Sequence, residues 1–187
     1  MARKIIMSMV LIVMALGLVA CDGVVGCDGL IDPNVSFGSL EEVQAVLSDD
    51  FYFFDFDDQT MQSSSYQAKT NTQSGRRRRR GDFEYIGYFL GFWIIDYNSH
   101  FYVSAIQGKN LDGLIEKYKK DVDSNIEERT MMIDGIECIF ISRVYDVQYE
   151  LYFMLNNVRY YFNTNGTSEA MFLSVCESAI QSKYKAK

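Results

Sequence analysis

The sequence predicts an α+β fold: an antiparallel β-sheet of about six to eight strands with two or three helices, including a C-terminal helix. Three observations lead to this prediction. Short aromatic runs are separated by two-residue turn signals, and helical patterns stand near both ends of the body of the chain. Tyrosine and phenylalanine, which favour strands, occur 13 times each among 187 residues, of which 48% are hydrophobic.

The first helix is predicted to begin after Ser39. The stretch Ser39-Leu40-Glu41-Glu42 matches a capping box, in which Ser39 is the N-cap and Glu42 lies three residues further on. Apolar residues at helical spacing follow this start signal, and they are Leu40, Val43, Val46 and Leu47.

Four runs in the first part of the body favour strands: Phe51–Phe56, Tyr66–Thr72, Phe83–Asp96 and Phe101–Ile106. The third run contains Gly87 and Gly91, where a β-bulge or a close approach of neighbouring backbone is expected. Asn110 is the predicted N-cap of a middle helix, because apolar residues after it share one helical face. These residues are Leu111, Leu114, Ile115 and Tyr118.

Two hairpins and a closing helix are predicted in the C-terminal part. Asp134-Gly135 and Asn156-Asn157 each separate two apolar runs, which is typical of a two-residue hairpin turn. After a loop at Asn165-Gly166, an apolar stripe predicts the last helix; its members are Phe172, Val175, Cys176 and Ala179. The ending "YYFNTNGTSEAMFLSVCESAI" resembles the endings of small uncharacterised envelope domains of low-GC Gram-positive bacteria. Those domains have no established activity that the resemblance could imply.

The N-terminus is typical of a secretory signal peptide. Arg3 and Lys4 precede an almost wholly apolar run from Ile5 to Leu18. As a helix this run is about 21 Å long, which is short against a bilayer core of roughly 30 Å. Residues 1–20 are therefore predicted to be a signal peptide rather than a membrane span.

The end of this segment, Leu18-Val19-Ala20-Cys21, resembles the lipobox of bacterial lipoproteins. The resemblance implies cleavage before Cys21 and a covalent diacylglyceryl group on its thiol, which anchors the chain in membrane lipid at the extracytoplasmic face of the cell membrane. Val24-Val25-Gly26-Cys27 also fits the loose pattern. Cys21 is favoured as the lipidated residue. If it were Cys27 instead, the charged Asp22 would lie within the apolar segment that precedes it, where a charge is costly.

The remaining chain is predicted to contain a flexible tether over residues 21–36, rich in Gly and Asp, and a single α+β domain over residues 37–184. Removing the signal peptide, which has two basic residues and no acidic ones, takes the net charge from −7 to −9. This acidic balance argues against nucleic acid as a partner.

The run Arg76, Arg77, Arg78, Arg79 and Arg80, between two glycines, is the most unusual internal feature. Neighbouring guanidinium groups repel one another, so the run is predicted to be an exposed loop. Arginine binds phosphate oxygens in bidentate fashion, which makes an anionic wall polymer or lipid headgroups candidate partners, beside an envelope protein. The alternative is a solvated loop whose charge is offset by the protein's own acids.

Other candidate sites are less supported. An extracytoplasmic protein can hold a Cys138–Cys176 disulfide, although small buried thiols are the simpler interpretation. The acids near residue 50 lack the spacing of a calcium loop, so no metal and no cofactor other than the diacylglyceryl group is predicted. Ser99 beside His100, the single histidine, lacks a nucleophile-elbow motif, so no catalytic residue is assigned.

These observations predict a lipid-anchored envelope protein with a non-catalytic binding or interaction domain. Two alternatives stay open. One is a carrier that holds a lipid or small ligand against a sheet lined with Tyr and Phe, and it requires a large apolar cavity. The other is a hydrolase, which requires His100 in a cleft beside a nucleophile.

Overall fold

The structure is a computed structural model that describes residues 34–56, 61–70, 84–95, 98–111, 126–143 and 147–185. The predicted signal peptide, Cys21, most of the predicted tether, Arg76–Arg80 and the body of the predicted middle helix lie outside the described residues.

The main feature is an eight-stranded sheet in which every pair of neighbouring strands is antiparallel. Its strands are β1 (Asn34–Phe37), β3 (Met61–Thr70), β4 (Tyr85–Ile94), β5 (Ser99–Gln107), β6 (Ile126–Ile133), β7 (Ile136–Arg143), β8 (Gln148–Leu155) and β9 (Val158–Asn165). Their order across the sheet is β1-β3-β4-β5-β9-β8-β7-β6. Strands β2 (Tyr52–Phe53) and β10 (Tyr184–Lys185) form a separate antiparallel pair.

The large sheet consists of two meanders that meet in its middle. Strands β3, β4 and β5 form one meander and β6 to β9 form the other, each strand lying beside its neighbour in sequence. The meanders are joined by the β5–β9 pair, in which Val103 lies opposite Phe162. The connection from β5 to β6 therefore leads from the centre of the sheet to its edge.

Two helices are described, α1 (Leu40–Val46) and α2 (Glu169–Gln181), and both begin at a serine cap. The Ser39 hydroxyl accepts a hydrogen bond from the Glu42 N–H at 3.4 Å, which confirms the predicted capping-box serine. The Ser168 hydroxyl accepts one from the Met171 N–H at 3.2 Å. These bonds pair backbone donors that a helix start otherwise leaves free.

One face of the sheet, which we call the inner face, holds the core. Alternation along β4 places a row of buried side chains there, and they are Tyr88, Leu90, Phe92 and Ile94. Phe54, from the segment after α1, packs its ring edge-on against Phe153, Tyr160 and Phe162. Phe172 of α2 packs against Phe101 and Phe140. The segment before β3 and the C-terminal helix thus cover the same face.

Both predicted hairpin turns are confirmed by backbone angles. Asp134 and Gly135 have φ values of 49° and 75°, and Asn156 and Asn157 have values of 48° and 60°. Positive φ at both central residues is the requirement of a type I′ turn. The structure also has register shifts beside the two glycines of β4, between Ser63 and Ser65 and between Lys69 and Thr70, as the prediction of bulges expected.

The fold class is confirmed in its main points, an antiparallel sheet and a C-terminal helix, but the protein is more β-rich than a balanced α+β fold. The run Phe51–Phe56 is not one strand, since only Tyr52–Phe53 pairs, and the other phenylalanines cover the inner face. Strand β3 begins earlier than predicted, at Met61. Residues 34–36, assigned to the tether, belong to β1.

Candidate functional site

The second face of the sheet, which we call the outer face, carries no helix among the described residues. Four aromatic side chains form a row on it, on β4 and β5: Phe89, Trp93, His100 and Tyr102. The Phe89 and Tyr102 rings stack with centroids 5.3 Å apart, and the Tyr102 and His100 rings stack at 5.7 Å. Trp93 meets His100 edge-on at 4.6 Å. This aromatic row is half-buried, so the outer face is partly apolar.

A polar network lies on β7 and β8 of the same face. The Glu150 carboxylate is buried, accepts hydrogen bonds from the Tyr152 hydroxyl at 2.8 Å and the Gln148 amide at 3.2 Å, and pairs with Arg143 at 3.2 Å. Buried charges are stable only when paired in this way. These contacts satisfy both carboxylate oxygens, so the network is a structural feature of the sheet.

A cationic cluster, formed by Lys69, Ser104 and Arg159, lies near the end of the outer face where β3 ends and β9 begins. The register places Lys69 opposite Gly87 of β4, and Arg159 opposite Ile106 of β5. The Lys69 ammonium donates a hydrogen bond to the Ser104 hydroxyl at 3.3 Å. The Arg159 guanidinium donates one to the Asn110 carbonyl oxygen at 3.3 Å.

Burial distinguishes the cationic cluster from the other basic side chains that have no ion pair within the described ranges, because Lys69 and Arg159 are half-buried whereas Lys109 and Lys185 are exposed. The ion pairs found there join Arg129 to Glu169, Arg143 to Glu150 and Lys183 to Asp134, and none includes Lys69 or Arg159. Burial, and secondly the neighbouring Arg159, lower the pKa of the Lys69 ammonium. The fold therefore brings two half-buried cations to one region of the sheet, and within the described ranges their hydrogen-bond acceptors are neutral.

The sequence does not reveal this cluster. Lys69, Ser104 and Arg159 are single residues on three strands, without a motif in the sequence around any of them. Only the pairings of β3 with β4, of β4 with β5 and of β5 with β9 bring them to one place. The arginine run lies in the connection from β3 to β4, which leaves the sheet at this same end.

A cavity of about 520 Å³ opens between α1, β3, β4 and the segment before β3. Its apolar lining consists of Leu40, Phe54, Phe56, Met61, Tyr66 and Phe92. Asp55, Gln62 and Ser63 supply polar groups at the same cavity. A volume in this range is typical of small-molecule sites, and the wall combines aromatic with polar side chains.

Cys138 and Cys176 are free thiols in the structure, buried in the inner-face core. Burial raises the pKa of Cys138 to about 12. Burial and, next, the coulombic effect of Cys138 raise the pKa of Cys176. Both residues are thus buried core thiols in the structure, and the disulfide between them stays a prediction.

Ser99 and His100 do not form a nucleophile–base pair. Successive residues of a strand point to opposite faces. The Ser99 hydroxyl donates to the Asn165 carbonyl oxygen, while the His100 ring lies in the aromatic row of the outer face. The Nδ1 atom of His100 is buried without a hydrogen-bond partner. Within the described ranges, Ser99 and His100 therefore do not form the pair that the hydrolase alternative requires.

Within the described ranges, no group of three or more His, Cys, Asp or Glu side chains is arranged to hold a metal ion. In the same part of the chain, no helix has the length and apolar content needed to cross a membrane. Comparison with protein-family models, with curated proteins and with solved structures gives no match for this chain.

Proposed function

We propose that this protein is a lipid-anchored lipoprotein on the extracytoplasmic face of the cell membrane, and that its β-rich domain is a non-catalytic binding module for an anionic wall polymer. The anchor is the diacylglyceryl group on Cys21, and the polymer is bound at the end of the sheet that carries the cationic cluster and the connection with Arg76–Arg80. If the polymer does not bind, an envelope protein is the next candidate partner.

The observation that carries this proposal is the position of Lys69 and Arg159 in an acidic protein. The sequence has 25 acidic residues and a net charge of −7. Nevertheless, neither cation has a carboxylate partner among the described residues. Five more arginines, Arg76–Arg80, follow in the sequence between the end of β3 and the start of β4. Such a local field attracts polyanions even when the net charge is negative.

A thin polymer fits this surface better than a flat bilayer does. Lys69 is half-buried on the face of the sheet, so an extended chain reaches its ammonium more easily than a planar surface does. A chain of phosphodiesters can follow the face and present one phosphate at a time. Arginine then adds bidentate contacts to further phosphates along the chain.

The test is co-sedimentation of the full chain, purified in a nonionic detergent, with membrane-free wall material over a salt series. We expect binding that weakens as salt rises, and a clear loss when Arg76–Arg80 are all changed to alanine. The control replaces Arg129 and Lys183 by alanine, because both cations already have carboxylate partners. Equal binding by the five-alanine variant and the wild type would contradict the proposal.

The cavity supports a second candidate function, a carrier of an apolar small molecule. Its volume of about 520 Å³ and its wall of Phe54, Phe56 and Phe92 suit such a ligand. A fluorescent fatty-acid analogue should bind the wild type, and Met61→Trp, which fills the cavity, should abolish that binding without affecting wall co-sedimentation. Equal fluorescence enhancement with both proteins would contradict the carrier function.

A further inference from the structure

We infer that Lys69, Ser104 and Arg159 form a binding site for one phosphate group of a phosphodiester. The inference rests on the proposed function, because it names the group of the polymer that the domain binds and the residues that contact it. All three residues lie in the ranges that the structure describes, and none belongs to the arginine run.

The donors come from three strands of one sheet, which holds them at a fixed spacing. Lys69 belongs to β3, Ser104 to β5 and Arg159 to β9. Gly87 of β4, opposite Lys69, has no side chain that could separate Lys69 from β5. The Lys69 ammonium therefore reaches the Ser104 hydroxyl at 3.3 Å across the intervening strand. A site built on paired strands keeps its geometry better than one built on a loop.

Within the described part of the chain, the hydrogen-bonding capacity of the three side chains is only partly used. An ammonium has three donors, and that of Lys69 uses one on Ser104. A guanidinium has five donors, and that of Arg159 uses one on the Asn110 carbonyl oxygen. The Ser104 hydroxyl accepts from Lys69 and keeps its own proton to donate. Donors from three directions suit the tetrahedral oxygens of a phosphate.

The electrostatic balance of the site also favours an anion. Two cations lie near each other, and burial weakens the screening of their charges by water. Burial and, secondly, the charge of Arg159 lower the pKa of Lys69, so both disfavour the charged ammonium in the free protein. A bound phosphate replaces the repulsion between the cations by two attractive, charge-assisted contacts. At Arg129 and Lys183 a carboxylate of the protein supplies the attractive contact. Within the described ranges, Lys69 and Arg159 have no such carboxylate.

The test measures binding of inorganic phosphate to the full chain in nonionic detergent, by the rise of the thermal unfolding midpoint at constant ionic strength. We expect the midpoint of the wild type to rise with phosphate. In Lys69→Met and in Arg159→Met, the apparent affinity should fall by about tenfold or more. Arg129→Met removes one cation elsewhere and should respond as the wild type does.

Removing either cation should not lower the midpoint in the absence of phosphate, since repulsion is relieved. This separates loss of binding from loss of folding. The five-alanine variant of Arg76–Arg80 should still bind phosphate, even if it no longer sediments with wall material. Conversely, if the wild type binds phosphate but does not bind wall material, the phosphate site is supported and the proposed function is rejected. A wild type that does not respond to phosphate, or variants that respond equally, would overturn the inference.

Two further probes identify the source of the phosphate. A soluble glycerol-phosphate oligomer represents the wall polymer, and phosphatidylglycerol in the detergent micelles represents a lipid headgroup. We expect the oligomer to compete with inorganic phosphate more strongly than the lipid does, because the half-buried Lys69 is reached more easily by an extended chain. Stronger competition by the lipid would overturn the assignment to the polymer.

Discussion

Tyr88 and Tyr160 bind the backbone of the same residue, Tyr52. The Tyr88 hydroxyl donates a hydrogen bond to the Tyr52 carbonyl oxygen at 2.7 Å, and the Tyr52 N–H donates one to the Tyr160 hydroxyl oxygen at 2.7 Å. Tyr88 belongs to β4 and Tyr160 to β9, with β5 between them. The segment that covers the inner face is thus attached to both meanders of the sheet.

Replacing either tyrosine by phenylalanine should destabilise the protein. Tyr88→Phe and Tyr160→Phe each leave one backbone group of Tyr52 without its partner in a buried place, which costs about 1–3 kcal/mol of unfolding free energy. Urea denaturation of the two variants measures this cost. Tyr66→Phe is the matched control, because the Tyr66 hydroxyl bonds Ser63 at an exposed position. Equal stability of all four proteins would contradict the prediction.

Alkaline pH should weaken the fold through the same two tyrosines. Burial is the main cause that raises the pKa of Tyr88 and of Tyr160 above the ordinary value of 10.0. An acid whose pKa is higher in the folded state contributes its full stabilisation below its unfolded pKa, and this contribution is lost as the pH rises through the folded pKa. The urea midpoint should therefore decline above pH 10, and less steeply in Tyr88→Phe. A midpoint that does not change with alkaline pH would exclude this linkage.

Gly87 should be the less replaceable of the two glycines in β4. A Cβ atom at Gly87 would overlap the backbone carbonyl oxygen of Ala105, whereas at Gly91 it would meet the hydroxyls of Ser65 and Ser64 at 2.6 and 2.9 Å. Side-chain hydroxyls can rotate away, but a paired strand cannot. We expect Gly87→Ala to cost about 1–3 kcal/mol of unfolding free energy and Gly91→Ala less. The reverse order in urea denaturation would contradict this packing.

The thiols of Cys138 and Cys176 should be unreactive until the protein unfolds. Their pKa values are raised by burial, and the thiolate is the reactive form. Iodoacetamide labelling followed by peptide mass spectrometry should find both modified in urea and neither in buffer. If both stay unmodified in urea without reductant, but react after reduction, the predicted disulfide is present instead. Fast labelling in buffer would contradict their burial.

Cys21→Ser should release the protein from the membrane. In the proposed anchor, the thioether to the diacylglyceryl group needs the sulfur of Cys21, and its two acyl chains would provide stable anchoring. Detergent phase partitioning of cells that express the full chain measures the outcome. Cys27→Ser is the matched control and should remain in the detergent phase. If Cys21→Ser also partitions into detergent while Cys27→Ser does not, the anchor is on Cys27.

The elements predicted best are those encoded over a few neighbouring residues. Ser39 caps α1, and Asp134-Gly135 closes a type I′ turn, because each depends on the local backbone angles that these residue types favour. The run Phe51–Phe56 was predicted less well. Its aromatic composition suits a strand, but burial against the inner face decided its conformation instead.

The sequence by itself determined the hairpins, the helix starts and the antiparallel class of the fold, since short-range sterics and hydrogen bonds decide these. It also carries the arginine run and the lipobox-like segment as continuous motifs. Only the tertiary structure decided that β5 pairs with β9, a choice between residues far apart in the chain that depends on the burial of both inner faces together. That pairing brings Lys69, Ser104 and Arg159 into one cluster, because paired strands place residues that are far apart in the sequence beside one another.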